Sequence, residues 1–439
     1  MISRRNILLS GAALGGATLL AQQAQAQPRP GAPANPASRP GAAPQAPAGR
    51  DAGPGRVITP NGASLPWKLV DGVKVFHLIA EPVVREIAPG LTVDCWGYNG
   101  LTPGPTIEAT EGDRCRFYVT NKLPEETAVH WHGVFLPNGM DGVSGVTQKP
   151  IPPGQTFRYE LTFTKAGTFM YHPHFDEMIQ IALGMTGMIV VHPRARRETR
   201  RVRDYALMLH EWQIPAGTRR PNPLAMSDFN VLTFNSKAFP ATEPLVAEVG
   251  DLVRIRLGNL GPMDHHPIHI HGHAFRVVET DGGPVPRAAQ WPETTVLVPT
   301  GAVRVIEFVA DAPGDWPFHC HMTHHVMNQM GHDVPNMIGV DVRGLDQKLG
   351  KHLPGYMTMG HTGMGHMGAM GMPAPGNSIP MQGAPGPFGH IDMGGMFTLV
   401  KIRERLTGNG DPGWYQHPPG TVADVASEDE LRRDGIEIG

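Results

Sequence analysis

The sequence predicts an all-β protein built from two copies of one β-sandwich, and three observations carry that reading. Between residues 65 and 345, short runs of β-branched and aromatic residues (116–120, 156–163, 303–309) are separated by Gly, Pro and Asn, and several alternate as half-buried strands do. No stretch of comparable length has the 3.6-residue apolar period of an amphipathic helix. The region also repeats itself. Gly112, Asp113, Arg116 and Asn121 return as Gly250, Asp251, Arg254 and Asn259. His130-Trp131-His132-Gly133 returns as His269-Ile270-His271-Gly272, and Gly167 with His172-Pro173-His174 returns as Gly314 with His319-Cys320-His321. The expected units are residues 63–198 and 199–345, joined in a charged run at 193–203.

The flanks are of different character. Arg4 and Arg5 precede an apolar run at 7–20, and Ala24-Gln25-Ala26 offers a small-residue cleavage site, so residues 1–26 read as an export signal of the twin-arginine type. Residues 27–62 are rich in Pro, Ala and Gly without apolar periodicity and read as a linker. Residues 346–439 form a tail rich in Gly, Met, His and Pro, with Met357, Met359, His361, Met364, His366, Met367, Met370 and Met372 in an expected mobile loop. Regular texture returns at 396–402, an expected additional strand. No later run is long and apolar enough to span a bilayer, so a periplasmic or secreted protein is expected. A near balance of 37 basic and 40 acidic residues gives no electrostatic footprint for nucleic acid. Of three cysteines, Cys95 and Cys115 could pair in an oxidising compartment or stay as small buried residues.

The histidines carry the chemistry. Residues i and i+2 of a strand point to one side, so an H-x-H pair presents two imidazoles together, and imidazole is a favoured ligand for copper, zinc and iron. Eight of the 22 histidines fall in four such pairs, two per repeat. The second repeat adds His266, Cys320 and His325, with Met330 five residues further on. Two imidazoles, a thiolate and a weak thioether make a blue copper electron-transfer set. The first-repeat counterparts are Thr127, Pro173, Met178 and Leu183, so no such site is expected there. His319 and His321 flank Cys320 and can serve a different metal, which would join two metal sites by a short covalent path.

With these motifs in order (HWHG at 130–133, HPH at 172–174, HxxHxH at 266–271, HCHxxxHxxxxM at 319–330), the chain resembles the multicopper oxidases, a family of laccases and copper-resistance oxidases. The resemblance implies two cupredoxin-like Greek-key sandwiches. It implies type 2 copper on His130 and His269, and a type 3 pair on His132, His172, His174, His271, His319 and His321. Type 1 copper would sit on His266, Cys320 and His325, with Met330 axial, giving four copper ions per active unit. Asp141 resembles the acidic residue beside the cluster that relays protons, with an ordinary turn residue as the other reading. His265 and His324 are expected bystanders. Relatives with only two such domains resemble homotrimers whose cluster is shared between neighbouring subunits.

The implied reaction couples one-electron oxidation of a donor to reduction of O2 to water. Cu(I) is the favoured donor because soft thioethers suit it; phenols, aromatic amines and Mn(II) stay open. Two alternatives are a copper-sequestering protein and a relative of copper nitrite reductases. The second expects a blue site in the first domain, where Pro173 stands in place of a cysteine.

Overall fold

The computed structural model describes residues 56–195, 199–215, 217–329, 348, 351–352, 376–408 and 410–437. The export signal, most of the expected linker, Met330 and the Met-rich segment lie outside the described residues. The first sandwich has nine strands: β1 Trp67–Val70, β2 Val73–Ala88, β3 Leu91–Tyr98, β4 Ile107–Thr110, β5 Arg114–Asn121, β6 His130–His132, β7 Thr156–Thr162, β8 Gly167–His172 and β9 Gly187–His192. One sheet runs β1-β2-β5-β7 with β3 also on β2, and the other runs β4-β9-β8-β6. Alternation explains the first sheet: along β5, Cys115, Phe117, Val119 and Asn121 are buried and the residues between them are half-exposed or exposed. β8 and β9 are buried on both faces. Phe169, Tyr171, Ile189 and Val191 enter the first core, while Met170, Met188 and Val190 pack on Ala206, Met208, Val303 and Val305 of the second half. The two halves therefore share an apolar seam.

The second sandwich begins with β10 Val202–Trp212, β11 Val231–Phe234, β12 Leu245–Glu248, β13 Leu252–Asn259, β14 His266–Ile270 and β15 Phe275–Thr280. It continues with β16 Gly283–Pro284, β17 Pro292–Glu293, β18 Thr295–Val298, β19 Ala302–Val309, β20 Gly314–Cys320, β21 Ala384–Gly386, β22 Gly389–Ile391 and β23 Phe397–Arg403. Its sheets run β11-β10-β13-β19-β15-β16, with β17 on β15, and β12-β23-β20-β14-β18. The returning strand β23 is thus an interior strand, parallel to β12 and antiparallel to β20.

Two local outcomes refine the sequence reading. Residues 56–62, grouped by composition with the linker, pack on the body: Val57 is buried and Ile58 pairs with Tyr205. Cys95 and Cys115 are both buried and free. They face Val83 and Lys74 of the same strand β2, nine residues apart, or roughly 30 Å at 3.3 Å per residue. A disulfide needs Cα atoms within about 7 Å.

Candidate metal centres

Strand alternation and register assemble the histidines. In β6, Trp131 turns into the core with no exposed surface, so His130 and His132 share the opposite face. β6 pairs with β8 so that His130 lies across from His172. The second half repeats this: His269 of β14 lies across from His319 of β20. Each half so gathers four imidazoles. In the first, ring centroids of His130 stand 5.7, 5.3 and 5.6 Å from His132, His172 and His174. In the second, those of His269 stand 4.9, 5.6 and 5.2 Å from His271, His319 and His321.

Backbone carbonyls fix the rings. Nδ1 of His130 bonds Asp141 O, that of His172 bonds Pro173 O, that of His319 bonds Cys320 O, and that of His269 bonds Thr294 O, at 2.8–2.9 Å. This leaves Nε2 of each free to face the set. Closest approaches are 3.3 Å between His132 Nδ1 and His172 Nε2, and 3.2 Å between His271 Nε2 and His319 Nε2. Burial depresses His132, His271 and His319, and drives His172 down to about 3. Neutral imidazole is the ligating form. Carboxylates stand near the first set: Asp141 Oδ1 is 3.4 Å from His130 Nδ1, and Glu177 Oε1 is 3.4 Å from His172 Nδ1.

Within one chain the two sets stay apart. His132 lies against the turn at Gly301, beyond the C-terminal end of β18, whereas His269 bonds Thr294 and Thr295 at its start. Among the described residues no ring contact joins one set to the other.

A third cluster is built from β14, the end of β20 and the turn Thr323–Val326. His266, Cys320 and His325 are all buried. Cys320 Sγ is 3.4 Å from His325 Nδ1 and 3.8 Å from His266 Nδ1, and the two nitrogens are 3.3 Å apart. Metal–nitrogen and metal–sulfur bonds of about 2.0 and 2.3 Å in a trigonal plane would put donors roughly 3.5–3.7 Å apart. The donor set fits a trigonal ion of the thiolate–imidazole type. Burial pushes the Cys320 thiol up to about 12 and His325 down to about 4, so a cation entering here must displace the thiol proton. The equivalent place in the first half is filled without such donors: Thr127 Oγ1 donates to Gln180 Oε1 at 2.7 Å, and Gln180 Nε2 donates to Glu126 O.

The multicopper oxidase sequence profiles match residues 81–196 and 215–339 of this chain. The chain belongs to the multicopper oxidase family. It is similar to dihydrogeodin oxidase of Aspergillus terreus, 32% identical over 242 residues, covering 50% of this chain and 38% of that one. It is also similar to laccase-2 of Botryotinia fuckeliana, 29% identical over 297 residues, covering 58% of this chain and 49% of that one. The chain thus spans less than half the length of these relatives. The crystal structure of a blue copper oxidase from Nitrosomonas europaea superposes with a TM-score of 0.55 at 26% identity, covering 75% of this chain and 85% of that chain. Copper is the metal such oxidases carry. No helix among its described residues is long and apolar enough to cross a membrane.

His265 takes the Thr300 amide on its Nδ1, and His324 is exposed; neither joins a cluster. Sequence reasoning missed two carboxylates behind the third cluster. Glu211 Oε2 is 3.3 Å from His266 Nε2, and Asp264 Oδ2 is 3.6 Å from His325 Nε2. Burial draws Glu211 upward, yet His266 and the Met263 amide hold it below the ordinary carboxylate range. Only Asp264, two residues before His266, had positional proximity as a signal.

Proposed function

We propose that the chain is a two-domain oxidase, with units 63–198 and 199–345, that takes electrons singly from a donor and reduces dioxygen to water. The observation that supports this best is the pairing of β14 with β20. Ile268 faces Cys320 and His269 faces His319, so the thiol of the third cluster and the imidazoles of the second histidine set are neighbours on one chain. Copper, when bound, supplies one-electron redox change and the reactivity toward oxygen.

The chain's residues would do the rest. His266, Cys320 and His325 hold type 1 copper in the buried site; the axial Met330 lies outside the described residues. His130 and His269 hold type 2 copper, and His132, His172, His174, His271, His319 and His321 hold the type 3 pair. The peptide bonds from Cys320 to His319 and His321 form the electron path between sites. Asp141, beside His130, serves as proton relay.

Because the two histidine sets do not meet in one chain, each would be completed by a neighbouring copy, in a homotrimer. Exposed apolar side chains flank both sets: Val146 and Met178 near the first, Trp291 and Met322 near the second. Such residues suit a subunit interface. Cu(I) is the favoured donor, gathered by the Met-rich segment 357–372, with phenols, aromatic amines or Mn(II) as other donors. The segment's flanks are tied to the type 1 turn, since the Asn328 amide donates to Met381 O at 2.8 Å. Export through residues 1–26 would place the enzyme in the periplasm or outside the cell.

Copper analysis, native mass and oxygen uptake test this together. About four copper ions per chain, a trimer, and uptake of one O2 per four Cu(I) oxidised are expected. One copper per chain without oxygen uptake would leave a sequestering protein as the reading.

A further inference from the structure

Glu211, on β10, has no exposed side-chain surface, and neither has His266 beside it. Its Oε1 accepts the amides of Met263 and Asp264 at 2.6 and 2.8 Å, and its Oε2 faces His266 Nε2. The loop that wraps it is cut to its shape: a Cβ on Gly261 would fall 1.7 Å from Glu211 Oε2. Among the described residues no lysine or arginine pairs with this carboxylate. A buried carboxylate is strongly unfavourable without positive charge nearby, and at Glu211 Oε2 that charge must lie on the His266 ring or be transmitted through it. Among the described residues the ring at Glu211 Oε2 is that of His266, whose other nitrogen faces Cys320 and His325.

We propose that Glu211 is the positioning residue that orients His266 and sets the reduction potential of the type 1 site. This rests on the reading of His266, Cys320 and His325 as the type 1 ligands. The hydrogen bond fixes which nitrogen of His266 is free to ligate. The negative charge behind the ring favours the cupric over the cuprous state and so lowers the potential. A charge one imidazole away, roughly 7 Å from the metal, in a medium of effective dielectric about 20, changes the ratio of cuprous to cupric affinity by roughly fiftyfold. Each tenfold is 59 mV for one electron.

Redox titration of the visible band in copper-loaded protein tests this with three variants. Glu211→Gln keeps the ring in place but removes the charge; the band should persist and the potential should rise by roughly one to two tenfold steps. Glu211→Asp, which retains the charge, should stay near the parent potential. Gly261→Ala alters no charged group but displaces the carboxylate, and should raise the potential in the same direction. Unchanged potentials in Glu211→Gln and Gly261→Ala would overturn the proposal; if Glu211→Gln fails to take up copper, Gly261→Ala alone decides. A parent protein with no visible band would be a different failure, that of the type 1 reading itself.

Discussion

Replacing Arg256 by Met should cost the metal-free protein about 3 kcal/mol. Arg256, on β13, is 3% exposed. It grips Asp204 with both arms, Nε to Oδ1 at 2.7 Å and Nη2 to Oδ2 at 2.8 Å, and its Nη1 donates to Thr168 Oγ1 at 2.5 Å. Thr168 belongs to the first sandwich and donates in turn to Glu279 of the second. The network therefore ties β8, the strand that ends at His172, to the neighbouring half. Removing one partner of a buried pair costs about 3–5 kcal/mol, because the other is left charged and desolvated. Arg254, 3.4 Å from Asp204 Oδ2, remains as a weaker cation, which places the loss at the lower end. At about 2.1 cal/mol/K of unfolding entropy per residue, a chain this long loses roughly 3–4 °C in Tm for that amount, readable by calorimetry in chelator. The paired change Asp204→Leu with Arg256→Met should recover most of the loss, since both charges leave together. A single variant melting within a degree of the parent, or a double variant no better than the single, would refute this reasoning.

Acid should weaken the metal-free protein through its buried histidines. His172 and His210 sit at about 3 and about 4 against about 6.5 in the unfolded chain. Their contribution is present above pH 6.5 and is lost as pH falls through those values, by roughly 3 kcal/mol in full for His210 alone; His210→Phe should remove about 2 kcal/mol of the change in unfolding free energy between pH 7 and 4.5, measured by urea titration, and an unflattened profile would count against it. His132→Ala should keep the visible band of the type 1 site yet lower oxygen uptake at least a hundredfold; uptake near the parent rate would remove the first histidine set from the reaction. Deleting residues 357–372 should slow Cu(I) oxidation severalfold while sparing small phenols, because thioethers hold Cu(I) and a tethered segment raises its local concentration. Equal retention of both activities, measured by oxygen electrode, would make the segment a bystander.

Much of the site was legible because its logic is short-range. An H-x-H motif on a strand already states which side chains share a face, and the duplicated motifs foretold that His130 with His172 would match His269 with His319. What escaped the sequence depends on contacts between distant strands. Glu211 reaches His266 from β10, 55 residues upstream, and a lone glutamate has no periodic signature. The strand near 396–402 was visible as an apolar run, but not its position inside the second sheet. There it clamps the metal turn from behind: the Cys320 amide donates to Met396 O at 3.1 Å, and the Met396 amide donates to His325 O at 3.0 Å. Val57 and Ile58 were hidden by the Pro/Gly composition around them, and only β10 reveals why they are ordered.

The central claim is that Cys320 is the thiolate of a type 1 copper site wired to the histidine sets. Visible absorption of copper-loaded Cys320→Ser, set beside the parent, tests it most directly. The parent should show an intense band and the variant none; the variant should still fold and retain the copper held by the histidine sets while donor oxidation stops. A variant that keeps the parent's band, or one that turns over donor at the parent's rate, would contradict it.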